Sequence, residues 1–314
     1  MNKVQIEFGP DKSQILRGIA IIFMIALHND TTGLFKICVP IFTFLVGYGY
    51  AFAKERNLKH AVKRSWHLLS HFWLILLGIC LPVGILAGDF KPTISNILPE
   101  LFGLESNLNW YSWYVYFYIY AMLVMIPASV LISRYKLKAC FLLIAVCYIG
   151  VFAIHKLPNW SSSIYLQAIH DCLLCSPVMF VGFYLAEGGG ITSIILKKNL
   201  ITALTCIIIA CLIFAARSIL YVTFLDFITI PVFCGAIIYF FNIIECRWLT
   251  KCLISLGKES MNMWFFHALF ATTCTATLFA PLIIWIQPKV LLIASMIIVS
   301  YLTGKLLTAI YNKL

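Results

Sequence analysis

Charge is what this chain has least of. Of its 314 residues only 11% are charged and only 12 are acidic, against a hydrophobic share of 62% and a mean hydropathy of +0.96. A soluble domain carries about a quarter charged residues. With less than half of that, most of the apolar surface would face water unshielded, which excludes a soluble globular protein and leaves lipid as the solvent. Three other absences narrow the reading. The first apolar run has no small-residue cleavage pattern after it, so it reads as a retained anchor. No tandem repeat is visible, which removes support for an inverted-repeat transporter. No polar stretch is long enough for a separate soluble domain, so residues 1–314 read as one membrane domain.

The basic excess, a formal net charge of +11, does not point to nucleic acid. The lysines and arginines fall in short clusters between apolar runs, the pattern that sets membrane orientation. Of the twelve cysteines, Cys80, Cys140, Cys147, Cys206, Cys211, Cys234 and Cys274 sit inside apolar runs as small hydrophobes. Cys172 and Cys175 form a lone C-x-x-C without a second pair or a His cluster, which favours packing over a metal or redox site. No metal is expected.

A helix crossing the bilayer core needs about 20 mainly apolar residues. Ten stretches qualify: Ile15 to Gly33, Phe35 to Ala53, Trp66 to Ala87, Trp110 to Ile132, Ala139 to Ile154, Tyr165 to Ala186, Leu200 to Ala216, Ile219 to Phe241, Ser260 to Pro281 and Lys289 to Ile310. Arg217 is the only charge between the seventh and the eighth. With both termini in the cytoplasm, 18 of the 23 basic residues lie inside; only Lys36, Lys91, Lys156, Arg217 and Lys289 lie outside. That bias supports an all-α bundle of about ten transmembrane helices and its orientation.

Ionisable groups inside spans are costly and are functional candidates by default. They are His28, Asp30, His71, His170 with Asp171, Asp226 and His267. In the orientation above, His28, Asp30, Asp171 and Asp226 share the outer half. A network of structural hydrogen bonds is the competing account of that layer. Arg17 and His28, eleven positions apart, project from one helix face with roughly 16 Å of axial rise between them. That suits a ligand with an anionic head in the cytoplasm and an extended arm, the shape of a coenzyme A thioester. An arginine fork suits phosphate. A histidine can serve as general base on an acceptor hydroxyl or take the acyl group itself. Arg17 as a snorkelling helix-end cation is an equal alternative. Asp30, some 200° round the helix from His28, is placed to bind acceptor hydroxyls or meet water. Asp171 or Asp226 is better placed to hold the His28 tautomer. The Trp110, Tyr111, Trp113, Tyr114, Tyr116 run reads first as an interfacial belt and second as a sugar-stacking surface. His71 and His267 read as hydrogen-bonded core residues or as walls of a cofactor tunnel.

Several segments resemble acyltransferase family 3, multi-helix membrane proteins that O-acylate bacterial surface glycans. KSQILRGIAIIFMIALHND is similar to the family's opening helix, with Arg, ten residues, then His. CVPIFTFLVGYGYAFA, NWYSWYVYFYIYAMLVMIP, PVMFVGFYLAE and LISLGKESMNMWFFHALF resemble later segments, in order along nearly the whole chain. The resemblance implies that Arg17 and His28 hold the family's essential Arg and His positions. It also implies that Arg56, Lys63 and Arg64 face a cytoplasmic acyl-CoA, with acetyl-CoA the expected donor and no metal. KRSWHLLSHFW departs from the family by lacking its proline, and His28 is followed by Asn-Asp. The expected activity is transfer of an acyl, most simply acetyl, group to a hydroxyl of a surface polysaccharide or lipid-linked sugar. The expected place is the bacterial cytoplasmic (inner) membrane, and a homodimer is left open. The rival function is a proton-coupled transporter or exporter using the same His and Asp residues.

Overall fold

The computed structural model describes residues 3–5, 8–29, 35–88, 90–109, 112–188, 195–220, 223–270, 286 and 288–313. The architecture is helical. The elements are α1 (Pro10–Asn29), α2 (Cys38–Tyr50), α3 (Leu58–Leu86), α4 (Ile94–Leu101), α5 (Tyr114–Tyr135), α6 (Leu137–His155), α7 (Ile164–Glu187), α8 (Leu200–Leu220), α9 (Asp226–Ile243), α10 (Arg247–His267) and α11 (Lys289–Tyr311). Two three-residue strands, β1 (Lys3–Gln5) and β2 (Ile195–Lys197), pair antiparallel with Val4 opposite Leu196. Among the described residues seven helices are long and apolar enough to cross a membrane: α3, α5, α6, α7, α8, α9 with the short turn before it, and α11.

The sidedness of α8 shows the solvent that these helices are built for. Ile201, Leu204, Ile208, Leu212 and Ile219 form one exposed stripe, while Ala203, Cys206 and Ala210 are buried opposite. A helix whose exposed face is more apolar than its buried one is made for hydrocarbon. Small residues on the inner face let neighbouring backbones approach.

Three features differ from the sequence reading. The ninth apolar stretch, expected from Ser260, belongs to a helix that starts thirteen residues earlier at Arg247 and ends at His267. Its first twelve residues carry Arg247, Lys251 and Lys258. A hydropathy window rejects such a segment although its periodicity is helical. Residues 271–281 of that expected span lie outside the described residues. The outer connection Gly88 to Asn109 contains a helix, α4, that was not expected. In α3, residues Leu76–Cys80 form a π turn, with the Leu81 amide bonded to the Leu76 carbonyl. Pro82 follows, and a proline cannot donate to the i−4 carbonyl. One wide turn absorbs the mismatch without ending the helix.

The chain divides into two units. Unit 1 comprises Met1–Arg56, Val124–Ala153 and Leu173–Lys258; unit 2 comprises Asn57–Leu123, Ile154–Cys172 and Glu259–Leu314. In unit 1, α1, α2, α8 and α9 pack on one another. Their core includes Leu16, Ala20, Ile41, Phe44, Leu45, Cys206, Ile230, Phe233 and Cys234. Two reciprocal glycine crossings set the closest approaches. Gly18 of α1 lies against the Leu253 carbonyl of α10, and Gly257 of α10 against the Gln14 carbonyl of α1. Likewise Gly47 of α2 meets the Met179 carbonyl of α7, and Gly182 of α7 the Phe44 carbonyl of α2. At each point a Cβ would collide with backbone, which cannot give way as a flexible side chain can. Packing of this kind drives association where water supplies no hydrophobic force.

In unit 2 the connection between α3 and α5 is tied down by polar contacts. Glu100 is fully buried and accepts hydrogen bonds from the amides of Asn107 (2.7 Å) and Leu108 (3.2 Å). Trp73 donates its indole N–H to the Leu101 carbonyl at 2.7 Å, and Asn109 donates to the Phe265 carbonyl at 3.1 Å.

Two tests follow from this packing. Gly47→Ala should destabilise the purified protein by about 1–3 kcal/mol in thermal melting. Gly49→Ala, two positions along the same helix, adds a methyl with nothing within 4 Å of it and should leave the melting temperature nearly unchanged. The second test concerns pH. Burial pushes the Glu100 carboxyl above its ordinary value of 4.5, with the two amides opposing that shift. The folded connection therefore holds this proton more tightly than the unfolded one. The resulting stabilisation is complete below pH 4.5 and fades as pH rises through the higher folded value. Amide exchange at Asn107 and Leu108 should slow on acidification relative to neighbouring amides, and Glu100→Gln should flatten that dependence.

Candidate functional site

Arg17 and His28 lie on α1, an unbroken helix of 20 residues, and each is half-buried. Ile15, Leu16, Ala20, Ile21, Met24 and Ile25 bury the helix, and the Gly18 crossing brings the backbone of α10 against it. The spacing read from the sequence therefore survives as one face of one rigid element. His28 is in the last turn of α1, where the unpaired carbonyls of a helix end favour positive charge. The Asn29 side chain donates to the Ile25 carbonyl in the same turn at 2.7 Å. Asp30 lies outside the described residues.

Asp226, also in unit 1, opens α9 and is buried. Arg217, at the end of α8, holds both its oxygens: Nε donates to Oδ1 at 2.6 Å and a terminal nitrogen to Oδ2 at 3.0 Å. This bidentate pair clamps the turn between the two helices. The sequence showed Arg217 only as a charge between two spans; that it faces Asp226 depends on how the turn folds.

Asp171 in unit 2 does orient an imidazole, that of its neighbour His170, whose Nδ1 lies 3.0 Å from Asp171 Oδ1. The other oxygen, Oδ2, accepts from the Tyr116 hydroxyl at 3.0 Å. His170 Nε2 is 3.1 Å from His155 Nε2, and Trp160 packs against both rings at 4.7 and 4.9 Å. The direction of this chain follows from its carboxylate end. A carboxylate accepts, so His170 Nδ1 carries hydrogen; neutral His170 then has its lone pair at Nε2, and His155 donates to it. His155 was missed because it closes α6 while His170 sits early in α7, fifteen residues on. Only the hairpin brings them together.

Arg56 is occupied. Its guanidinium donates to Glu187 Oε1 (3.1 Å), the Ala51 carbonyl (2.6 Å) and Ser133 Oγ (3.5 Å), and lies 4.9 Å over the Phe183 ring. It ties α2 to α5 and α7 within unit 1. Lys63 and Arg64, by contrast, are exposed on α3. Among the described residues no group of three or more His, Cys, Asp or Glu is placed to hold a metal ion, and no disulfide joins the eleven described cysteines.

A family model described as an acyltransferase domain (Acyl_transf_3) matches residues 12–305, nearly the whole chain. The searches of curated proteins and of solved structures return no match.

The Arg217–Asp226 pair can be tested separately from the chemistry. Removing one partner of a buried pair leaves an uncompensated charge and costs about 3–5 kcal/mol. Asp226→Leu and Arg217→Met should each lower thermal stability by that order, and the double variant should recover most of it. Acyl transfer measured in the stable double variant then reads the contribution of Asp226 to chemistry without the folding defect.

Proposed function

We propose that this chain, which belongs to acyltransferase family 3, moves an acyl group, most simply acetyl, from cytoplasmic acyl-CoA to a hydroxyl of a surface polysaccharide or lipid-linked sugar. The observation that carries the reading is the placing of Arg17 and His28 on one face of the uninterrupted helix α1, with roughly 16 Å of axial rise between them. An extended thioester with phosphates at one end matches that spacing. The guanidinium of Arg17 is suited to the phosphates, and His28 to the proton transfer.

In this reading His28 takes the proton of the acceptor hydroxyl as the hydroxyl oxygen bonds to the thioester carbonyl carbon. The C–S bond breaks, and the leaving thiolate receives that proton from the imidazolium. The helix-end carbonyls at His28 favour the transient positive charge. Acetyl-CoA is consumed as donor substrate, and no metal is required for this sequence of steps.

The same proposal has ten helices crossing the bacterial cytoplasmic membrane, with both termini inside. The seven apolar helices supply most of that count, and α1, α2 and α10 supply the rest. Each of these three falls short on length or hydropathy, α2 at 13 residues and α10 through its basic first half. The loop charges support the orientation.

One observation favours the rival function. Tyr116, Asp171, His170 and His155 form a continuous hydrogen-bonded row of ionisable groups that converges on the Asp171 carboxylate, and such groups within spans are what a proton-coupled transporter uses. Proton flux in liposomes together with absent acyl transfer would select it.

His28→Ala should cut the rate of acyl transfer by about 10²–10⁴-fold, the usual worth of a positioned acid–base group. NMR of O-acetyl groups on the host glycan reads the result. Unchanged acetylation in that variant would remove His28 from the mechanism.

A further inference from the structure

Unit 2 holds a buried base that the steps above do not use. His71, in α3, is 5% exposed. Its Nδ1 lies 2.9 Å from Asn262 Oδ1, Asn262 Nδ2 donates to Thr308 Oγ1 at 2.8 Å, and Thr308 donates to Glu259 Oε2 at 2.7 Å. The chain can be read from its carboxylate end. Glu259 accepts, so the Thr308 hydroxyl spends its proton there and offers a lone pair to the Asn262 amide nitrogen. The Asn262 oxygen must then face the imidazole, and His71 Nδ1 must donate. A neutral His71 therefore carries its lone pair on Nε2.

That atom is buried and has no hydrogen-bond partner among the described residues. Buried acceptors without donors are costly and rare. Here the ring is held in place rather than left to turn away. Tyr311 lies 3.7 Å from it, centroid to centroid, with its hydroxyl 2.8 Å from Ser70 Oγ, and His67 meets it edge-on at 4.8 Å. Four residues from three helices thus fix an acceptor that nothing in the described chain satisfies.

The same face of α3 continues toward exposed cations. His67, Arg64 and Lys63 stand four, seven and eight positions before His71, so they share its side of the helix. Lys63 is about 12 Å from it along the axis. His67, Arg64 and Lys63 are exposed and His71 is not. A ligand matching this row has anionic groups at one end and, further along, a neutral arm with a hydrogen-bond donor. Resting on the acyl-CoA reading above, we infer that His71 Nε2 accepts a hydrogen bond from a pantetheine amide N–H of the donor, with Lys63 and Arg64 toward its phosphates. His71 is then a donor-binding residue, and Asn262, Thr308 and Glu259 position it by setting its tautomer.

The test uses the full chain in lipid nanodiscs, with ¹⁵N-labelled histidine and two probes: coenzyme A, and adenosine 3′,5′-bisphosphate, which has phosphates but no pantetheine. The His71 signals are identified by their loss in His71→Phe. In the wild-type protein Nε2 should be the unprotonated nitrogen, and its resonance should move on addition of coenzyme A but not of the bisphosphate. His71→Phe should bind coenzyme A roughly tenfold more weakly and the bisphosphate as well as wild type does. Coenzyme A binding with the Nε2 resonance unmoved, or Nδ1 found unprotonated, overturns the assignment of His71 alone. No binding of coenzyme A by the wild-type protein overturns the acyl-CoA reading and this inference with it. Where His71→Phe folds poorly, loss of the same signals in His71→Asn identifies them, and the wild-type spectra then decide the matter.

Discussion

The interior of a bilayer offers no hydrogen-bond partners, so each polar group carried into it must be met by another from the chain. That constraint organises the polar part of this structure. Asp226 is met by Arg217, Asp171 by His170 and Tyr116, Glu187 by Arg56, and Glu259 by Thr308. Each carboxylate fixes the direction of the hydrogen bonds leading away from it. In two places the consequence reaches an imidazole and decides which of its nitrogens bears hydrogen. The helices themselves are held by the complementary rule that apolar packing in lipid depends on close backbone approach. The Gly18–Leu253 and Gly47–Met179 contacts supply it for α1 and α2.

These two rules together suit α1 to the part in the chemistry that we propose for it. A half-buried arginine and a half-buried histidine are useful only if their separation is constant, and a single helix pinned through Gly18 provides that. The family match covers this helix from residue 12. The polar groups of unit 2 form their own connected networks, one around Asp171 and one around His71.

The parts of this fold that could be read from the sequence are those governed by one helix at a time. Apolar length located α3, α5, α6, α7, α8, α9 and α11, and helical spacing placed Arg17 and His28 on one face. What could not be read depends on two segments meeting. Asp226 looked free to serve an imidazole because its pairing with Arg217, on the neighbouring helix α8, leaves no periodic trace. Arg56 looked available to an acyl donor because its tether, Glu187, is 131 residues away. His155 falls just beyond the expected fifth stretch, and only the α6–α7 hairpin sets it against His170. The basic first half of α10 hid a helix from a hydropathy criterion, and the helix α4 was lost in a segment marked by prolines and acids. Charge and proline content describe the solvent around a segment more faithfully than they describe its backbone.

The π turn in α3 has a consequence for how the two ends of that helix are coupled. A π turn is in effect one residue inserted into an α-helix. Everything beyond Leu76–Cys80 is therefore turned by about 100° from where an uninterrupted helix would carry it. On one side of the insertion stand His71 and its partners; on the other, Gly84 faces Leu108 and Phe90 closely enough that a methyl group would lie 2.7 Å from the Leu108 side chain. The two halves of α3 thus answer to separate registers. Deleting a single residue between Leu76 and Cys80 would leave an apolar helix of almost the same length and hydropathy, yet only one of the two registers could then be kept. A length change too small for composition to notice would make the imidazole and the connection to α5 compete for the same helix rotation.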